Sequence, residues 1–222
     1  MFDYFKLIEN KYINRLSVSN PIVIRLDGKD VCGNPDVDLL DENIGGFAYA
    51  LIETGKFFSR KYRCIVYVTT DEINIVVEDA NILKNSYKKL EAQKISSLVS
   101  QEVFMEFNRH YKGDSVLFDA RSFNIYENKI NSYLLHRIAL GENVLINHFA
   151  KGSIPHNERA NVPLKILKDK LHDLSYKFRN RSAYQTQGSA FLRGVPIEIL
   201  DDGYRTITQD IINTTIEDDD LI

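Results

Sequence analysis

At 222 residues the chain is long enough for one principal domain with an appendage, and 44% hydrophobic residues with twelve Tyr and twelve Phe exclude wholesale disorder. A formal net charge of −3 and a pI near 6.0 exclude gripping nucleic acid by bulk charge, so any such contact needs a local basic patch. No apolar run approaches the ~20 residues of a membrane span, and Cys32 and Cys64 form neither a CxxC pair nor a disulfide framework, so a reduced, cytoplasmic chain is expected.

The first twenty residues, Met1–Asn20, read as a short charged helix. A strand follows at Ile22–Leu26. A helix is predicted over Glu42–Tyr62, capped by Asp41, because Ile44, Phe47, Leu51, Ile52 and Phe58 fall near helical spacing. Two runs of β-branched and aromatic residues, Cys64–Thr70 and Ile73–Glu78, predict a hairpin about Thr70-Asp71-Glu72. A second long helix over Leu83–Tyr111 and a fourth strand at Val116–Tyr126 complete a βαββαβ order. That order predicts an α+β, ferredoxin-like fold with strands arranged 4-1-3-2 and both helices on one face. Beyond Asn131 the pattern predicts helices at Ser132–Ala150 and Pro163–Phe178, joined by a loop at Ile154–Pro163. A short strand pair is expected near Gly188–Pro196 and Ile199–Thr206. The acidic cluster Glu217–Asp220 closes the chain as a solvated tail. The expected division is a sheet domain, 1–130, and a helical annex, 131–222, packed on it.

Two acidic turns carry the chemistry. Asp27-Gly28 ends strand one and Asp71-Glu72 lies in the hairpin, so a 4-1-3-2 sheet makes them neighbours. Carboxylates that close repel one another unless divalent cations neutralise them. Gly28 lets its carbonyl face a metal and lets phosphates approach. Alternation turns Glu72 away from Asp71, towards a supporting or capping role. Lys94 offers an ammonium to a triphosphate, although a lysine on a long helix is as often simply solvated. Asp119 and Arg121 read as a structural ion pair. Between Lys165 and Arg193, Lys165, Lys168, Lys170, Lys177, Arg179, Arg181 and Arg193 outnumber Asp169 and Asp173, which marks either an RNA-binding patch or a solvated helix face. The five histidines show no metal spacing.

In order and spacing these residues resemble the tRNA-His guanylyltransferase family and its relatives that add nucleotides in the 3'-to-5' direction. Arg25-Leu26-Asp27-Gly28-Lys29 resembles the R-[LI]-D-G-[RK] metal motif, and Thr70-Asp71-Glu72-Ile73 resembles S/T-D-E-[IF]. Phe118-Asp119-Ala120-Arg121 is similar to F-D-[SA]-R, and Lys94 with Ser97 to K-x-x-S. Lys168-Asp169-Lys170-Leu171 and Leu192-Arg193-Gly194 resemble later basic segments. The helix at Leu135–Glu142 departs from the family's histidine- and asparagine-rich signature.

The resemblance implies a polymerase-type palm with two Mg2+ ions on Asp27, Gly28 and Asp71, and Asp27, Asp71 and Glu72 as catalytic acids. ATP and GTP are the implied substrates, bound by Asp27, Gly28, Lys29, Asp30, Val31, Cys32, Thr70, Asp71, Lys94 and Ser97. A tRNA partner and a homo-oligomer, dimer or tetramer, are implied as well. The implied reaction is transfer of nucleotides to a tRNA 5'-end, with 5'-end repair as one use. A 5'-monophosphate is first activated with ATP or GTP and then attacked by the 3'-hydroxyl of the incoming nucleotide. Two other readings stand beside it: a non-catalytic nucleotide- or RNA-binding palm, and a palm-type nucleotide cyclase. Intact Asp27, Asp71 and Glu72 favour an enzyme, and the Phe118–Arg121 and Lys168–Leu171 matches favour polymerase-like transfer over cyclisation.

Overall fold

The computed structural model describes residues 21–31, 34, 37–87, 90–174, 188–200 and 203–206. The helix expected over Met1–Asn20, the Glu217–Asp220 tail, and Cys32, Lys177, Arg179 and Arg181 lie outside the described residues.

Strand β1, Ile22–Gly28, is followed by helix α1, Phe47–Lys61, and by the hairpin strands β2, Ile65–Thr69, and β3, Glu72–Val77. Helices α2, Asn81–Ser86, and α3, Ala92–His110, lead to β4, Phe118–Asn124. Then come helices α4, Ile130–Ser153, α5, His156–Arg159, and α6, Leu164–Leu174. The described chain ends in strands β5, Ser189–Leu192, β6, Val195–Leu200, and β7, Gly203–Thr206.

The strands form one antiparallel sheet in the order β4-β1-β3-β2-β5-β6-β7, which contains the expected 4-1-3-2 arrangement. The expected terminal strand pair is instead three strands, and β5 adds to β2, so the palm sheet runs on past residue 130.

Alternation sorts the sheet into two faces. Ile22, Ile24 and Leu26 of β1, with Ile73, Ile75 and Val77 of β3, face α1 and α3. Val23, Ile65, Tyr67 and Val76 point the other way, under Ile130 and Leu134 of α4. A third apolar cluster joins α4 to α6 through Ile146, Ala150, Leu167 and Leu171. Helix α3 buries Ile95, Val99, Val103 and Phe107, a four-residue repeat that keeps one stripe on the sheet. Helix α1 sits close because Gly55 has no side chain: a Cβ there would stand 2.9 Å from Val68.

Three departures from the predicted elements have local causes. The second long helix is broken because Tyr87 is extended and buried, its phenol 2.5 Å from that of Tyr62 and donating to Glu102 at 3.0 Å. The first helix starts at Phe47 because Gly45 takes φ +95. Asp41 is no helix cap. Its carboxylate accepts from the Asn43 N–H at 3.0 Å, and its carbonyl from Tyr49.

Phe107 braces Phe118, the residue of β4 opposite Gly28 where the first acidic turn begins. Its ring lies 5.0 Å from Phe47, 5.2 Å from Phe118 and 5.3 Å from Tyr111, so it ties α1, α3 and β4 together. Replacing Phe107 with Ala is expected to cost about 3–5 kcal/mol in urea unfolding, and a loss below about 1 kcal/mol would contradict this role.

Candidate functional site

The two acidic turns meet at one end of the sheet. The Gly28 N–H donates to the Asp71 carbonyl at 2.8 Å, and the Lys29 N–H donates to the Leu117 carbonyl at 2.8 Å. The Asp27-Gly28-Lys29 turn is thereby stitched to the β2–β3 hairpin on one side and to the segment entering β4 on the other. A Cβ at Gly28 would stand 3.1 Å from Val31 and 3.3 Å from the Asp71 Cβ and carbonyl oxygen, so this contact has little room for a side chain. The hairpin loop is two residues, Thr70-Asp71. Such loops favour a positive φ, and Thr70 supplies it at +47 despite its β-branch. Its hydroxyl donates to Asp71 Oδ1 at 3.3 Å.

Asp27 projects from the face opposite α1 and α3, in register with Glu72 on one side and Asp119 on the other. Its side chain is 37% exposed and pairs with Arg25 at 3.0 Å. Glu72 is buried, and both its oxygens are engaged. Arg137 of α4 donates through Nε at 2.8 Å and through a second guanidinium nitrogen, while Asn74 donates at 2.6 Å. The Tyr133 hydroxyl donates to Asn74 at 2.6 Å and completes the network. Burial pushes the Glu72 carboxyl up, the Arg137 and Asn74 hydrogen bonds oppose that, and the nearby Asp27 charge reinforces it. Burial pulls Arg137 down, but its hydrogen bond and charge contact with Glu72, joined by Tyr133 and Asp27, together raise it. Gly141, one turn further along α4, lets the helix come this close, since a Cβ there would lie 2.5 Å from Thr69 Oγ1.

Beside the Gly28 turn lies a cleft of about 620 Å³, walled by Lys29, Asp30 and Val31 on one side and by Tyr111, Lys112 and Leu117 on the other. The first wall consists of three residues of the run expected to bind nucleotide. The second was not anticipated, because nothing in the sequence pattern marks the loop after α3.

Other expected residues fall elsewhere. Lys94 and Ser97 line a separate hollow of about 300 Å³ near the start of α3. That end of α3 meets the sheet where Ser96 bonds Ser122, opposite Ile24, whereas its Phe107 end meets Phe118, opposite Gly28. The basic patch is divided as well. Lys165, Lys168 and Lys170 ride on α6, where Lys168 pairs with Glu142 at 2.6 Å, next to Gly141 and so near the acidic end of the sheet. Arg193 occupies the β5–β6 turn beside the Ile65 end of β2, at the far end. Arg137, Asn74 and Tyr133 were missed by sequence reasoning. Only the position of Arg137 within the Leu135–Glu142 helix, where the family signature is lost, could have hinted at it.

The donor set suits a hard cation. Two carboxylates and a backbone carbonyl are oxygen ligands, and magnesium commonly takes one or two carboxylates and completes its shell with phosphates and water. Among the described residues no cluster of three or more His, Cys, Asp or Glu stands ready to hold a metal. Phosphate and water oxygens would therefore have to supply the rest. Also among the described residues, no helix is long and apolar enough to cross a membrane.

A palm-type α+β sheet with paired acidic turns at one end is the class this architecture defines. No protein-family model and no curated protein sequence matches the chain. Solved structures do. A bacterial tRNA(His) guanylyltransferase (Thg1)-like protein in complex with ATP superposes with TM-score 0.65 at 21% identity, covering 97% of this chain and 95% of that one. Such a bacterial protein in complex with GTP gives 0.63 at 22% identity, covering 97% and 94%. The tRNA(His) guanylyltransferase of Saccharomyces cerevisiae gives 0.63 at 14% identity, covering 96% and 99%. The chain has the fold of the tRNA(His) guanylyltransferase-like structures over nearly its whole length.

The buried pair makes a pH-dependent expectation. Replacing Arg137 with Ala leaves the Glu72 carboxylate buried without its cation, and is expected to cost about 3–5 kcal/mol near neutral pH. Without the guanidinium the folded-state pKa of Glu72 rises further above its unfolded value of about 4.3. The added stability loss is therefore small at the unfolded value and grows as pH rises towards the folded one. Urea unfolding of R137A at pH 5 and pH 7 should show the smaller deficit at pH 5, and adding Glu72→Gln should abolish the difference. An equal deficit at both pH values contradicts the assignment.

Proposed function

We propose that the chain is a magnesium-dependent nucleotidyltransferase that adds nucleotides to a tRNA 5'-end in the 3'-to-5' direction. The observation that carries this reading is the Gly28–Asp71 hydrogen bond, which joins both acidic turns at the mouth of a cleft large enough for a nucleotide. The likeness to structures described as bound to ATP and to GTP supports the same substrates here.

Asp27, Asp71 and the Gly28 carbonyl would hold two magnesium ions, which when bound neutralise phosphate charge and make a hydroxyl easier to ionise. The chain's own residues do the rest. Lys29, exposed at the cleft, brings an ammonium to the phosphates, and Asp30 and Val31 continue the same wall. Tyr111, braced by Phe47 and Phe107, lines the opposite wall where the base would lie. Glu72 is a positioning residue: its oxygens are occupied by Arg137 and Asn74, and through them it holds the hairpin bearing Asp71. Lys165, Lys168 and Lys170 overhang the same end of the molecule and supply the RNA contact, with the salt dependence that counterion release imposes. Arg193, at the far end, stands apart from that contact. Cytoplasmic location and a dimer or tetramer belong to this reading too.

The test is incubation with labelled ATP and GTP, Mg2+, and intact or 5'-truncated tRNA. Label is expected on the tRNA, and Asp27→Ala or Asp71→Ala should reduce transfer by about 10²-fold or more while the protein still unfolds cooperatively in urea. A cyclic nucleotide product would establish the cyclase reading instead, and tight binding without any product the binding-protein reading.

A further inference from the structure

On the sheet face that carries Asp27, strands β1 and β4 set Arg25 directly opposite Arg121. Like charges opposed across neighbouring strands destabilise a sheet, because their Cβ atoms stand only about 5 Å apart. Each guanidinium has a carboxylate two residues along its own strand: Asp27 lies 3.0 Å from Arg25, and Asp119 lies 3.4 Å from Arg121. Both contacts are made by a single terminal nitrogen, which leaves most of the five N–H donors of each guanidinium free of these pairs. The buried Nε–H of Arg25 has no partner among the described residues. Arg121 and Asp119 are each 66% exposed and Arg25 is 22% exposed; Arg137 of α4 reaches down onto β3, while Tyr133 bonds Asn74 of β3 and sets its ring edge-on against Phe123 of β4 at 5.8 Å. Arg121 therefore stands open to solvent on the β4 flank with the more buried Arg25 beside it, so the end of a macromolecule can reach the pair from the β4 side.

We propose that Arg25 and Arg121 form a phosphate-binding fork, two residues from Asp27, that takes the terminal 5'-phosphate of an RNA. The proposal rests on the nucleotidyl-transfer reading above. Two planar guanidiniums match the oxygens of a phosphomonoester, and its negative charge relieves their mutual repulsion. The geometry separates this fork from the nucleotide cleft. Asp27, Arg25 and Arg121 project from one face of the sheet, while the missing Cβ of Gly28 points to the other, towards Val31 and the cleft wall. RNA end and nucleotide would thus approach the Asp27-Gly28 turn from opposite sides of one strand, which brings two phosphate groups together without crowding them into one pocket. The same phosphate chemistry could come from a nucleoside triphosphate, so the test includes both sources.

Fluorescence anisotropy at fixed ionic strength compares a tRNA acceptor hairpin bearing a 5'-monophosphate with the same hairpin bearing a 5'-hydroxyl, and ATP binding is measured in parallel. The wild-type protein is expected to prefer the phosphorylated end by about tenfold. R121Q, at an exposed position, should fold normally and lose that preference without changing ATP affinity. Arg25→Lys keeps the charge beside Asp27 but not the fork, and should reduce the preference in the same direction. A preference retained in R121Q, or absent from the wild type, overturns the proposal. Loss of ATP affinity in R121Q with both hairpins unaffected overturns it too, and gives the fork to the triphosphate. Because the readout is binding, a protein that transfers no nucleotide at all can still show the 5'-phosphate preference, so failure of the fork and failure of nucleotidyl transfer are distinguishable.

Discussion

The forked ion pair between Arg137 of α4 and Glu72 of β3 is the contact on which the site depends. It joins residues 65 positions apart, and it is the charged bond that fastens the helical second half of the chain to the hairpin carrying Asp71. A buried carboxylate is costly unless its lone pairs are filled, and here Arg137 and Asn74 fill them, with Tyr133 holding Asn74 in turn. The bare approach of Gly141 to Thr69 brings the helix close enough for the arginine to reach. Packing thus makes the ion pair geometrically available, and the ion pair fixes the hairpin.

Electrostatics explains why this end of the sheet is fit for phosphate chemistry. Asp119, Asp27 and Glu72 stand in one register row across β4, β1 and β3, and Arg121, Arg25 and Asn74 form the next row inward, about 7 Å along the strands. Glu72 is answered by Arg137 from above. Asp119 has the exposed Arg121 of its own strand, a pair that contributes little stability in water, and Asp27 has the less exposed Arg25, through a single terminal nitrogen. The rim is therefore an unfinished charge pattern, with acids able to accept cations and cations able to accept phosphate. The strained Thr70 and the crowded Gly28 belong to the same picture, since both set the backbone where the two turns touch.

Much of this was legible in the chain. The runs at Ile22–Leu26, Cys64–Thr70 and Ile73–Glu78 are dense enough in β-branched residues to be strands under any context, and their order with the helices gives the 4-1-3-2 arrangement. The acidic turns follow from that order alone. What could not be read is what depends on distant contacts. Tyr87 continues a helical pattern locally but breaks the helix, because its ring is drawn into the core and its phenol to Tyr62 and Glu102. The β5–β6 turn needs Arg193 at φ +53 and Gly194 at φ +82, and nothing nearby announces that its strands will extend the palm sheet at β2. Arg137 looks like any solvated helix cation until the fold brings it over Glu72. Lys94 and Ser97, conversely, carry a motif whose place in the fold lies apart from the acidic turns.

The most direct measurement is a crystal structure of the protein grown with Mn2+ and a non-hydrolysable ATP analogue, with manganese located by its anomalous scattering. The expected result is manganese bound by the Asp27 and Asp71 carboxylates and the Gly28 carbonyl, with the analogue's phosphates alongside and its nucleoside in the cleft between Lys29 and Tyr111. Manganese bound elsewhere, with Asp27 still paired to Arg25 and the cleft empty, would contradict the assignment of the two acidic turns as the catalytic centre.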